Sequence, residues 1–287
     1  MTSLSDSTVI DRMVRNEADM AYRRRVKTIF EWLTPADNDL ILDGGTGRGF
    51  YLRFVGEVCA AHLVGVELEF PIIELAQQAV GHIRGVSLAN GSLYNLPFPN
   101  SIFDKAILSE VLEHVPDDVQ ALREVTRVLK PGGLIAITVP HANYPFWWDP
   151  INKTLETLFD THIQRGLFAG LWANHVRLYT RDQLRQAIHN AGLELVDERA
   201  FTHHSFPFIH NLVYGVGKPV LEARLLPAGM VRAADRHNIT EDKGSPFNPI
   251  NIGLRIFEWF DRKNVMNEPD GRPTVNLCAL ARKPATN

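Results

Sequence analysis

The chain has 287 residues, 45% of them hydrophobic, enough for one large α/β core with insertions or for a domain plus a cap. A formal net charge of −3, with only short basic clusters such as Arg23-Arg24-Arg25, argues against nucleic acid as a partner, because phosphate binding calls for a clustered basic face. Two cysteines, Cys59 and Cys278, supply neither a disulfide framework nor zinc spacing; with no signal-type leader and no apolar run of about 18 residues, a cytoplasmic protein without a transmembrane helix is expected.

In chain order, residues 9–33 read as a helical lead: Val14, Met20, Val26, Ile29, Phe30 and Leu33 recur at helix-like intervals, and Pro35 ends it. Its charged residues, Glu17, Asp19 and the three arginines, read as a solvated face. The run Leu40-Ile41-Leu42-Asp43-Gly44-Gly45-Thr46-Gly47-Arg48-Gly49 follows, an apolar strand closed by an acid and then alternate glycines, with a helix starting near Phe50. Glycines there let a ligand approach the backbone and permit φ > 0. A dinucleotide loop would place glycine or alanine where Phe50 stands, and the carboxylate of Asp43 would repel a pyrophosphate. The turn suits a cationic ligand carrying hydroxyls and an amino group.

Leu63-Val64-Gly65-Val66-Glu67 is a second apolar run closed by an acid, about 20 residues beyond the glycine turn, where a ribose-binding carboxylate sits in such folds. Strands are expected at 39–43, 63–67, 85–89, 104–109 and 133–139 with helices between them, the alternation of a parallel sheet. Thr180 caps a helix that leads through Ala191-Gly192 into a sixth strand, and 275–282 forms the last.

The pattern Asp43-x-Gly45-x-Gly47-x-Gly49 resembles the first motif of the class I S-adenosylmethionine (SAM) dependent methyltransferases. Residues 91–99 with Phe103 to Val115, and Lys130-Pro131-Gly132-Gly133, resemble the branch that includes the ubiquinone and menaquinone biosynthesis methyltransferases. That resemblance implies a Rossmann-like α/β fold with strand order 3-2-1-4-5-7-6, the last strand antiparallel, and SAM as cofactor. It implies cofactor-binding roles for Asp43, Gly44, Gly45, Gly47, Glu67, Leu68, Ser92, Leu93 and Ser109. Ser92 departs from the branch, which usually places an aspartate there against the adenine amino group; a hydroxyl accepts that bond more weakly than a charged acceptor. The resemblance also implies that residues 1–38 cover the cofactor and that 39–139 form the SAM-binding core.

Two long insertions, 140–178 and 201–274, interrupt the core at the edge where open α/β sheets bind ligands. The first is rich in aromatic residues (Tyr144, Phe146, Trp147, Trp148, Phe159, Phe168, Trp172), as is the second (Phe201, Phe206, Phe208, Tyr214, Phe247, Phe257, Trp259, Phe260). They read either as the wall of a site for a flat, greasy acceptor or as the cap's own core. The apolar run 206–221 admits a peripheral membrane contact.

Methyl transfer needs a base only when the acceptor atom is protonated, and His141 and His114 are the candidates. Glu110-x-x-Glu113-His114 would place three donors on one helical face and resembles an E-x-x-E-H magnesium motif of other O-methyltransferases, yet non-metal members of the branch carry similar residues; the site as assigned contains no metal ligand. The expected activity is methylation, at oxygen or carbon, of an apolar or aromatic small molecule. The alternatives are an isoprenoid quinone or membrane lipid as acceptor, and a SAM-fold protein that binds without turnover. The sequence leaves the oligomeric state open.

Overall fold

A computed structural model describes residues 4–15, 17–166, 168–217 and 247–285, with the side chains of 4–8 and 214–216 outside the description. Seven strands form one mixed sheet in the order β3-β2-β1-β4-β5-β7-β6. They are β1 (Leu40–Gly44), β2 (His62–Glu67), β3 (Val86–Asn90), β4 (Phe103–Ser109), β5 (Leu129–Pro140), β6 (Glu194–Phe201) and β7 (Asn276–Arg282). The first five pair in parallel, while β7 lies antiparallel to both β5 and β6, as the resemblance implies. The helices are α1 (Leu4–Met13), α2 (Met20–Leu33), α3 (Phe50–Val58), α4 (Phe70–Val80), α5 (Asp118–Val128), α6 (Pro150–Phe159), α7 (Arg181–Asn190) and α8 (Pro249–Asp261).

Two apolar layers sandwich the sheet. One packs α5 and α7 through Leu122, Val125, Leu184 and Ile188 against β4, β5 and β7. The other packs α1, α2 and α3 through Met13, Ile29, Phe30 and Phe54 against the opposite face. Central strands buried on both faces need nearly continuous apolar side chains, which is how Ile135, Ala136 and Ile137 read. Thr180 caps α7 in a reciprocal box with Gln183, as expected from sequence. Cys59 and Cys278 are both free thiols.

The helical lead is not one helix. It breaks after α1, and Asp19 restarts the chain by accepting a bond from the Tyr22 amide at the N-terminus of α2. Nor is its charged face solvated. Glu17 and Asp19 are buried, and the three arginines pair in turn with Glu258 (3.2 Å), Asp261 (2.9 Å) and Glu110 (2.8 Å). Two of those partners lie on α8, so the basic run fastens the N-terminal segment to the second insertion.

The aromatic residues of the insertions divide. Tyr144 and Trp148 are buried with Leu171, Leu178 and Ile209 in a satellite core, and Trp172, Phe206 and Phe257 pack on it. Phe146, Trp147, Phe159, Phe168, Phe208, Phe247 and Trp259 are exposed, Phe159 by 68% and Trp259 by 54%. Part of the expected wall is therefore the cap's own core, because a helical insertion must bury something to hold its shape. Residues 218–221 of the apolar run and the Tyr214 side chain lie outside the described residues. Among the described residues no helix is long and apolar enough to cross a membrane.

Candidate active site

Strand β1 ends in Asp43, whose side chain is almost wholly buried beneath the glycine loop. Thr46 donates to it at 2.5 Å, but loss of water dominates and pushes the carboxyl up to about 7, with the Glu67 charge adding to the rise. An acid so placed is costly to ionise until a cation arrives. The loop is held by the amides of Gly45 and Thr46, which both donate to the Val66 carbonyl. Gly45 has φ +70°, and a Cβ there would lie 2.7 Å from Val111. Gly47, at φ +54°, is different: a Cβ there would meet nothing within 4 Å, so the space above it is open for a ligand.

Glu67 closes β2 and reaches back to the loop. Its Oε2 accepts from the Gly47 amide (3.0 Å), and its Oε1 accepts from the amides of Leu68 (2.8 Å) and Glu69 (3.2 Å). A carboxylate offers about four lone-pair directions, so one stays open on Oε2, and a second ligand hydroxyl would displace the long Glu69 contact. The end of β3 is tied in through the Gly91 amide and the Asn90 side chain, which both donate to the Glu67 carbonyl. Ser92 follows in a tight turn, accepting from the Tyr94 amide, and the buried Leu93 packs beneath Gly44. Asp43, Gly44, Gly45, Gly47, Glu67, Leu68, Ser92 and Leu93 thus gather at one edge of the sheet, with Leu68 exposed on its rim. A buried acid, an open glycine cradle and a carboxylate with a lone-pair direction to spare are a set of groups that suits SAM.

The sequence reading missed the side-chain chain beside them. Tyr51 Oη contacts Ser109 Oγ (2.9 Å), Ser109 contacts Thr138 Oγ1 (2.9 Å), Thr138 donates to Glu110 (3.0 Å), and Glu110 pairs with Arg25. The chain links α3, β4, β5 and α2. Burial pushes the Tyr51 phenol above its ordinary range. No local pattern announces such a network, since its members come from four elements.

The two candidate bases are not together. His141 follows the last residue of β5, opposite the residues that lead into β7: its Nδ1 meets Thr274 Oγ1 at 2.8 Å, its amide donates to the Val275 carbonyl, and burial lowers its pKa to about 4. His114 lies in the loop after β4, with 43% of its side chain exposed. That loop is not a helix. Glu110 has φ +55° and turns toward Arg25, so Glu110, Glu113 and His114 do not share a helical face. Glu113 points inward instead, fully buried, and loss of water with the nearby Glu110 charge raises its carboxyl well above the usual range.

A sheet ordered 3-2-1-4-5-7-6, with a glycine loop after the first strand and an acid closing the second, is the architecture of class I SAM-dependent methyltransferases. Residues 42–137, the stretch that builds this edge, match the methyltransferase domain family. Those residues form a methyltransferase domain, and the chain is similar to the SAM-dependent methyltransferases of quinone biosynthesis. It is 27% identical over 174 residues to the demethylmenaquinone methyltransferase of Staphylococcus haemolyticus, covering 56% of this chain and 71% of that one. With the Listeria welshimeri demethylmenaquinone methyltransferase, identity is 35% over 94 residues, 32% of this chain and 40% of the relative's length. Among solved structures, the [4+2]-cyclase SpnF aligns with a TM-score of 0.53 at 19% identity, covering 92% of this chain and 82% of its own. The YcgJ protein of Bacillus subtilis aligns at 0.51 and 17%, covering 91% and 99%. At such identities the structural likeness establishes the fold alone.

Proposed function

We propose that the enzyme methylates an oxygen or carbon of an apolar or aromatic small molecule. The observation that carries this reading is the placement of two unlike surfaces around one sheet: the polar glycine-loop edge and the aromatic-rich insertions that follow β5 and β6. SAM supplies a methyl group on a sulfonium, open to in-line displacement. Asp43, Gly44, Gly45 and Gly47 line its methionine and ribose portion, Glu67 and the Leu68 backbone hold the ribose, and Ser92 with Leu93 flanks the adenine. Ser109 presents its backbone toward the sulfonium.

The protein's task is then alignment and exclusion of water, which orientation alone makes worth several kcal/mol. As the acceptor's O–C or C–C bond forms, its O–H or C–H proton must leave. His141 enters the reaction neutral and is one acceptor for that proton; the half-exposed His114 is the other.

Likeness to two demethylmenaquinone methyltransferases favours a prenylated quinol within this class, and exposed Phe146 and Trp147 beside Phe208 offer an apolar rim to such a molecule. The full chain is to be incubated with methyl-labelled SAM and a panel of a prenylated demethylnaphthoquinol, its tail-free analogue, a catechol and a simple phenol. Label in an aromatic product supports the proposal, and dependence on the prenyl tail supports the quinol reading. SAM binding in the micromolar range without label in any acceptor would favour a binding protein that does not turn over.

A further inference from the structure

Of the cluster beneath the β4 loop, the reading above uses only His114. Glu113 is fully buried, and neither of its carboxylate oxygens has a hydrogen-bond partner. Two histidines face it: His114 Nε2 and His175 Nε2 each lie 3.9 Å from Glu113 Oε1. Their rings sit 4.7 Å apart at 70°, and one donor atom from each of the three residues falls within 4.8 Å of the others. A carboxyl group buried without a hydrogen-bond partner is costly, and histidine nitrogens 3.9 Å away are too distant to supply one.

The surroundings are built to hold these donors. The His114 Nδ1 donates to the Asn174 carbonyl at 3.0 Å, which leaves Nε2 as the nitrogen that faces Glu113. The Val176 amide donates to the Glu113 carbonyl, and Arg177 bonds the Pro116 carbonyl, fastening the His175 segment along the β4 loop. Glu113 is sealed and His175 nearly so, while His114 is partly exposed, which leaves one side open to solvent.

We propose that Glu113, His114 and His175 form a binding site for one divalent transition ion of the zinc type. Two imidazole nitrogens and one carboxylate oxygen, with an open fourth position, are the donor set such ions prefer, whereas magnesium demands oxygen ligands. Zinc bonds of about 2.1 Å set tetrahedral donor separations of roughly 3.4 Å, so the two Glu113–histidine separations of 3.9 Å close by about half an ångström on binding. Glu110 is not a ligand, because Arg25 and Thr138 hold it elsewhere. The set thus departs from the Glu110, Glu113, His114 spacing: one acid is lost to an arginine, and a histidine arrives from the first insertion, 61 positions after His114.

The full chain, stripped with chelator, is to be titrated with zinc and separately with magnesium by calorimetry, with cobalt absorption as a report on coordination. One zinc per chain is expected, displaced by neither millimolar magnesium nor SAM. His114→Ala and His175→Ala should each weaken binding at least about tenfold, and Glu110→Gln should not. His114 is half exposed, so its variant tests the site even if Glu113→Gln fails to fold. Absence of zinc binding, binding indifferent to both histidine variants, or magnesium binding as tight as zinc overturns the proposal. Each readout is binding, so methyltransferase failure leaves this test intact.

Discussion

The loops after β1 and after β4 leave the same edge of one sheet, yet they are built in opposite ways. The β1 loop is nearly all backbone: its shape follows from Gly45 and Gly47, and its holding bonds run from amides to the Val66 carbonyl and the Glu67 carboxylate. The β4 loop is shaped by long side chains that reach other segments, Glu110 to Arg25 on α2 and Glu113 toward His175 in the first insertion. A site made of backbone leaves its pattern in a short run of sequence. A site made of side-chain pairs across distant segments leaves almost none.

The strongest way to break this contrast is at Glu67, where one side chain organises the backbone loop. Glu67→Ala should weaken SAM binding about 100-fold, close to 2.7 kcal/mol, because charge-assisted bonds to ribose and loop amides go together. A calorimetric loss under threefold would mean that the loop holds the cofactor without it.

Arg25 probes the other loop. Arg25→Ala should lower stability by about 1–2 kcal/mol, seen as a lower denaturation midpoint, since it strips the counter-charge from Glu110. In a double-mutant cycle, adding Glu110→Gln should recover part of that loss. Strict additivity would show that the pair is not coupled.

The third effect is a pH dependence centred on Asp43, whose carboxyl is raised from its ordinary value to about 7. A raised carboxyl favours the protonated fold. The stability this brings to the cofactor-free protein is complete below about pH 4 and is lost as pH rises through about 7. SAM affinity should run the other way, strengthening about tenfold between pH 6 and 8 as the carboxylate forms to meet the cofactor's cationic charge. Asp43→Asn should flatten both trends; a pH-independent affinity in the unmodified chain would remove Asp43 from the cofactor's contacts.

Smaller shifts sharpen the picture. Ser92→Asp should tighten SAM binding about threefold by supplying a charged acceptor for the adenine amino group. If His141 is the base, kcat at saturating SAM should stay level from about pH 5 to 8 and fall only near 4, where the ring gains its proton. Turnover lost in His114→Ala with SAM binding intact, and kept in His141→Ala, would move the role to His114.

Much of the fold was legible. Apolar runs closed by Asp43 and Glu67 located β1 and β2, because buried parallel strands need continuous apolar side chains and ligands meet them at their carboxyl ends. The placement of β7 between β5 and β6 came through resemblance, as strand order leaves no trace in periodicity. The lead at 9–33 was misread as one helix because its apolar spacing continues past the break that Asp19 caps. Its arginines looked solvated because their partners stand as much as 237 residues away.

By itself, then, the sequence determined the alternation of strands and helices, the glycine loop and its two acids, since these rest on local backbone freedom and on the side-chain pattern of neighbouring residues. Only the tertiary structure decided that Glu110 belongs to Arg25, that His175 meets Glu113, and which aromatic residues of the insertions are core and which are rim. Those choices depend on which distant surfaces come into contact, and burial and charge pairing are set there rather than along the chain.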